Sequence, residues 1–227
     1  PVAPSRAPAV DAQDLRRAVG IDIGGRYARL ALLELGKVDL LKIEGQAALP
    51  AVVALLPSGA LVTGADALGE PESSRVSVRA LLLAVSGLAV APVENLSGRW
   101  VAKIAGENVE LLEILRVFFQ PLGAAATRAL GTPKVRGILL VPPGASNEAI
   151  DLVQRAAKAT GLDITEAVPE PLAAGRAYDL DRQPVETALV IDVAATHLGA
   201  TVLRRGRDGL RPVGGKSWPS PSGAELD

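Results

Sequence analysis

Cysteine is absent from the 227 residues, which excludes a disulfide framework, a thiolate metal site and a cysteine nucleophile together. Methionine is absent too, and the chain has no initiator and no stopping pattern at Leu226-Asp227; both traits are expected of a piece excised from a longer chain. Histidine occurs once, at His197, so only one side chain has an unperturbed pKa near neutrality, and a lone histidine after a turn is more often structural than catalytic. Net charge is nearly absent: 24 Lys and Arg stand against 25 Asp and Glu, so no overall field recruits nucleic acid or an anionic membrane. Long apolar runs are missing as well. The most apolar stretch, residues 80–93, is broken by Ser86, Gly87 and Pro92 and falls short of the ~18 residues of a membrane helix. It reads as buried helix and loop.

What remains is ordinary globular material, 48% hydrophobic and 22% charged, enough for a sizeable core. Residues 1–17, rich in Pro and Ala without an apolar signal core, read as a flexible lead-in, and a cytoplasmic location is the default.

The strongest pattern is an internal repeat. Around Asp22 the chain reads VGIDIGGRYARLALL, and around Asp192 it reads LVIDVAATHLGATVL. Each is an apolar strand with an Asp near its end, a turn of small residues and a second apolar strand. A further turn and a third strand-like run follow each, at 38–43 and 210–213, so a strand meander is made twice. Between them, residues 108–130 place Val109, Leu112, Leu115, Phe118, Phe119 and Leu122 on one helical face, with Pro121 a candidate kink. Residues 135–141 read as a strand buried on both sides. Ser146 suits the N-cap of a helix to about Thr160, closed by Gly161. A short strand at 164–168 and a helix opening at Glu170-Pro171 complete the order. The fold class is α/β with two similar halves, and Leu112, Leu115, Phe119, Ile138, Leu140, Ile150, Val153, Leu189 and Ile191 are expected in the core.

Five segments in this order resemble the heat shock protein 70 family: residues 18–32 its first phosphate loop, 50–68 the strands that follow, 76–87 the segment of its catalytic lysine, 135–181 its connecting segment and 188–203 its second phosphate loop. SGAELD at 222–227 is similar to an acidic run beyond that loop. The resemblance implies an actin-like ATPase fold of the ribonuclease H-like kind. Its first lobe would be complete over 18–180 and its second truncated over 181–227.

It also implies a site. Asp22 and Asp192, facing one cleft, would hold magnesium through water, since that ion prefers oxygen ligands and keeps part of its hydration shell; the bland alternative is that each bonds only turn amides. Glu170 would orient water, or merely favour a helix dipole. Arg79 stands at the lysine position, where a wide fork replaces a compact ammonium, or is a solvated helix-face residue. Glu170, Asp192 and Arg79 are the catalytic candidates. Asp22, Gly24, Gly25 and Arg26 of the first loop and Ala194, Ala195 and Thr196 of the second are the candidate contacts to ATP or ADP. Alanines and threonine where the family has glycines, and Gly199 where it has a second acid, imply weakened or lost hydrolysis. The expected activity is that of a degenerate chaperone ATPase with a client or regulatory protein partner and no nucleic acid or membrane. The alternatives are a non-catalytic actin-fold interaction module and a filament-forming actin relative.

Overall fold

Alternation of apolar and polar residues lays down the first strands of the computed structural model, which describes residues 18–34, 37–193, 198–207 and 209–218. β1 (Ala18–Ile23), β2 (Tyr27–Glu34) and β3 (Lys37–Leu40) form an antiparallel meander. Val19, Ile21 and Ile23 on β1 and Ala28, Leu30 and Leu32 on β2 are buried, so every second residue faces one core. The third strand ends sooner than its apolar pattern suggests, because Ile43 leaves the ladder for an isolated bridge with Gln46.

β4 (Leu49–Pro50) pairs with β2. β5 (Val52–Leu55), β6 (Leu61–Thr63) and β7 (Arg75–Ser77) make a small sheet, with α1 (Gly64–Gly69) between its last two strands. β7 runs straight into α2 (Val78–Val85), whose first turn is capped by the Ser77 hydroxyl accepting from the Ala80 amide. β8 (Val93–Leu96), β9 (Arg99–Ile104) and β10 (Glu107–Glu110) form a second small sheet leading into α3 (Leu111–Leu130). The helix expected from residue 108 therefore starts at Leu111. A turn at Ala105-Gly106, both at positive φ, sends 107–110 back along β9, and that pairing outweighs the helical spacing of Val109.

α3 passes Pro121 without ending, and Phe118 and Phe119 on its inner face are fully buried, their rings edge to face at 5.4 Å. Beyond it come β11 (Val135–Val141), α4 (Asn147–Lys158), β12 (Leu162–Pro169) and α5 (Glu170–Ala177). Ser146 caps α4, its hydroxyl accepting from the Ala149 amide. β12 is longer than its apolar stretch because pairing with β11 runs from Leu162 to Pro169. The main sheet has the order β12-β11-β1-β2-β3, with β1, β11 and β12 parallel. Parallel pairing needs crossovers, which the segments holding α3 and α4 supply.

The final meander, β13 (Thr187–Val193), β14 (Leu198–Gly206) and β15 (Gly209–Trp218), packs on α5. Here the core expectation fails. Leu189 and Ile191 are 61% and 63% exposed, because they alternate with Ala188 and Val190 along β13 and so lie on the opposite face of the sheet from Leu203, the residue packed on α5. Ile138, Leu140 and Ile150 are half-buried, whereas Leu112, Leu115, Phe119 and Val153 are buried. β11 likewise has one face fully covered and one half-covered rather than both fully buried.

Gly123 marks the closest approach of α3 to the end of α4: an added Cβ would lie 2.2 Å from the Thr160 carbonyl oxygen. Alanine gains up to ~1 kcal/mol in helix propensity, but overpacking against backbone costs ~1–3 kcal/mol. The clash wins. Gly123→Ala is expected to lower the urea midpoint, and an unchanged or raised midpoint would show that the helices separate freely there.

Candidate functional site

The carboxyl ends of the parallel strands are where an open α/β sheet presents ligand sites, since successive connections there leave a crevice. Asp22 is the penultimate residue of β1 and Leu140 that of β11, while Glu170 follows β12 directly with no intervening loop. All three border one cleft of about 570 Å³, whose walls also include Gly24, Gly25, Arg79, Pro171, Ala173, Ala174, Ala177, Val190, Ile191 and Asp192. Asp22 and Asp192, each the penultimate residue of the first strand of a meander, thus reach the same space from opposite sheets.

The turn after β1 is tight. The Gly24 amide donates to the Tyr27 carbonyl at 2.9 Å, and a Cβ on Gly24 would come within 2.9 Å of that oxygen, so the position tolerates no side chain without moving the hairpin.

At the cleft floor, Arg79 of α2 is only 4% exposed. Its guanidinium donates to Glu170 through both terminal nitrogens, Nη1 to Oε1 at 2.6 Å and Nη2 to Oε2 at 3.0 Å. Nη1 also donates to the Ile23 carbonyl at 2.8 Å, while Nε is buried without a partner. This fork-on-carboxylate geometry is the strongest form of charge-assisted bond. Burial by itself depresses the Arg79 pKa, but the Glu170 bonds and the charges of Glu170, Asp22 and Asp192 outweigh it and hold the pKa above the usual value. The solvated-arginine alternative is therefore excluded: Arg79 is buried and paired.

Asp22 is in the opposite situation. Burial raises its pKa, the negative charges of Glu170 and Asp192 add to this, and Arg79 and Arg29 only partly offset it. Arg29 lies 3.9 Å away on the exposed side of the hairpin, where an ion pair contributes little.

Six sequence candidates thus line one space: Asp22, Gly24, Gly25, Arg79, Glu170 and Asp192. Arg26 belongs to the same turn but not to the cleft lining. Ala194, Ala195, Thr196 and His197 lie outside the described residues. Sequence reading found Arg79 and Glu170 separately and missed their bond, for which two residues 91 positions apart leave no local signal. It also missed the Ile23 carbonyl and the apolar wall of Leu140, Ala173 and Val190.

No protein-family model matches the chain. Among curated proteins, the "Chaperone protein HscA homolog" of Azotobacter vinelandii is 32% identical over 225 residues, covering 89% of this chain and 35% of the relative. A "Chaperone protein DnaK" of Thermus thermophilus is 29% identical over 85% of this chain and 33% of its own length. The "Chaperone protein dnaK" of Emiliania huxleyi is 28% identical over 87% and 34%. Relatives that match over 85–89% of this chain are thus DnaK and HscA chaperones of the heat shock protein 70 family, which supports a divergent fragment of that family. The chain spans about a third of the length of the curated relatives it matches. Its mixed α/β architecture is consistent with a nucleotide-binding domain of a heat shock protein 70. Among the described residues, no helix is long and apolar enough to cross a membrane.

Two outcomes follow from the charges of this cleft. Removing one partner of a buried ion pair strands the other, so Glu170→Ala is expected to cost ~3–5 kcal/mol in urea denaturation, and Arg79→Met with Glu170→Leu to recover most of it. A pair contributing only surface-like energy would give neither result. Asp22 binds its proton more tightly folded than unfolded, so its ionisation destabilises the protein near neutral pH, and that penalty vanishes as pH falls below its ordinary value of 3.8. Asp22→Asn is therefore expected to raise the thermal midpoint near neutral pH and to leave it unchanged in acid. A loss of stability near neutral pH would contradict the assigned direction.

Proposed function

We propose that the chain is a nucleotide-binding region of a heat shock protein 70-type chaperone in which nucleotide binding is weak and hydrolysis is lost. The fold is read as actin-like, of the ribonuclease H-like kind, with residues 18–180 as one lobe and 181–227 as the start of the second. The repeated meander and the α5 junction between the two sheets support this division. The observation that carries the functional reading is the Arg79–Glu170 pair. Phosphoryl transfer depends on positioned cations at the transferring phosphate and on a group that orients the attacking water. Here the two side chains proposed for those roles bond each other, so neither is directed at a phosphate or a water.

Magnesium fits the site only through its water. Among the described residues no cluster of three or more His, Asp or Glu is arranged to ligate a metal directly. Asp22 and Asp192, two carboxylates on one cleft, are the residues that would hold its hydration shell, and Asp22, with its raised pKa, would be relieved by a nearby cation. The ion would supply charge neutralisation for ATP or ADP. Gly24 and Gly25 offer backbone that a phosphate can approach closely, whereas the second loop, read from sequence as Ala194-Ala195-Thr196, adds Cβ atoms where close approach is needed. A client or regulatory protein as partner, and a cytoplasmic location, belong to the same reading.

A ligand at ~100 times its dissociation constant stabilises a native protein by ~2.7 kcal/mol, a thermal shift of several degrees for a chain this size. Millimolar magnesium-ATP is expected to shift the midpoint by less than about one degree and to release no phosphate above background. A clear ATP-specific shift, abolished by Asp22→Ala and Asp192→Ala, would restore a competent site and end this reading.

A further inference from the structure

The bonds of Arg79 converge on three separate elements. Its own helix is α2, the Ile23 carbonyl is the end of β1, and Glu170 is the first residue of α5. α5 is in turn the element on which the β13–β15 sheet packs. The contact is close: a Cβ on Gly175 of α5 would meet Leu203 of β14 at 2.6 Å, and Leu203 and Leu210 are buried against this helix. Past the helix, the Arg205 guanidinium of β14 donates to the Leu180 carbonyl at 2.6 Å, so the second sheet follows the helix and its exit loop as one unit. A change in the angle of α5 is therefore a change in the position of the second sheet, and with it of Asp192 relative to Asp22.

We propose that Arg79 is a built-in clamp: by tying Glu170 to the end of β1, it holds α5 and the β13–β15 sheet in one position whether or not the cleft is occupied. In a cleft between two sheets, a ligand ordinarily supplies the tie by touching both sides, and closure follows its differential affinity for the closed state. Here the tie is internal. A ligand that gains no new contact from closure shifts nothing, however tightly it binds. Arg79 is in this sense a positioning residue, acting through Glu170. The planar fork is what the role requires, since it reaches the carboxylate through two nitrogens while one of them also holds the Ile23 carbonyl. An ammonium has no such preset geometry.

The inference stands on the ion pair and not on the weak-nucleotide reading, and its test separates the two. Since the chain has no cysteine, spin labels can be placed at Asp39→Cys on β3 and Arg211→Cys on β15, both exposed positions outside the cleft. Distances between them are then read by pulsed electron resonance in the full 227-residue chain. The expected result is a narrow distribution, unchanged by magnesium chloride or by magnesium-ADP. Arg79→Lys, which keeps the charge, and Glu170→Gln, which keeps the shape, should each broaden it about twofold and raise hydrogen exchange across α5. A broad wild-type distribution, a ligand-dependent shift in the wild type, or distributions for Arg79→Lys and Glu170→Gln as narrow as wild type would each overturn the clamp. Nucleotide binding detected by thermal shift with the distance unmoved would remove the weak-binding reading and leave the clamp intact.

Discussion

A guanidinium removed from water must find its partners inside the protein, and for Arg79 the partners come from the end of β1 and the start of α5. The two ends of this constraint are far apart in the chain, so satisfying it requires the main sheet to be formed, α2 to lie across its carboxyl edge, and β12 to deliver Glu170 without slack. Burying an ion pair is weak evidence of net stabilisation, because desolvation offsets much of the attraction. Its consequence is specificity of arrangement. An α5 displaced by one turn would leave a charge in the interior with nothing to bond.

The rest of the site follows from where parallel strands stop. β1, β11 and β12 end on the same edge, and what stands there is a carboxylate, an apolar residue and a second carboxylate: Asp22, Leu140 and Glu170. The second sheet contributes Asp192 across the cleft only because α5 can approach β14 closely at Gly175. Three carboxylates and one arginine then share a partly buried cleft. The arginine bonds Glu170, while burial, joined by the charges of Glu170 and Asp192, raises the Asp22 pKa.

A modest identity of 28–32% to curated DnaK and HscA chaperones is compatible with such a cleft. The fold tolerates changes at its site because the site is held by strand ends and one helix start, whereas the core depends on the buried faces of β1, β2 and α3. Substitutions at the cleft alter charge and shape without emptying that core.

Arg79 and Glu170 entered as candidates only through the resemblance to a family. Local patterns in the sequence were sufficient for the α/β class, the repeated meander with Asp22 and Asp192 near its strand ends, the Ser146 cap and the α5 start. Each of these is written in neighbouring residues, as period, turn chemistry or a strand-end acid. The start of α3 was not legible. Residues 108–110 carry helical spacing, and only the hairpin made by Ala105-Gly106 decides that they pair with β9. The exposure of Leu189 and Ile191 was hidden for the same reason: an apolar strand looks alike whether one face of its sheet is covered or both, and the difference lies in which neighbours arrive. The sequence could also list Arg79 and Glu170 but not join them. Their bond exists because two strands and two helices bring together residues 91 positions apart, and a contact of that kind belongs to the fold and not to any stretch of the chain.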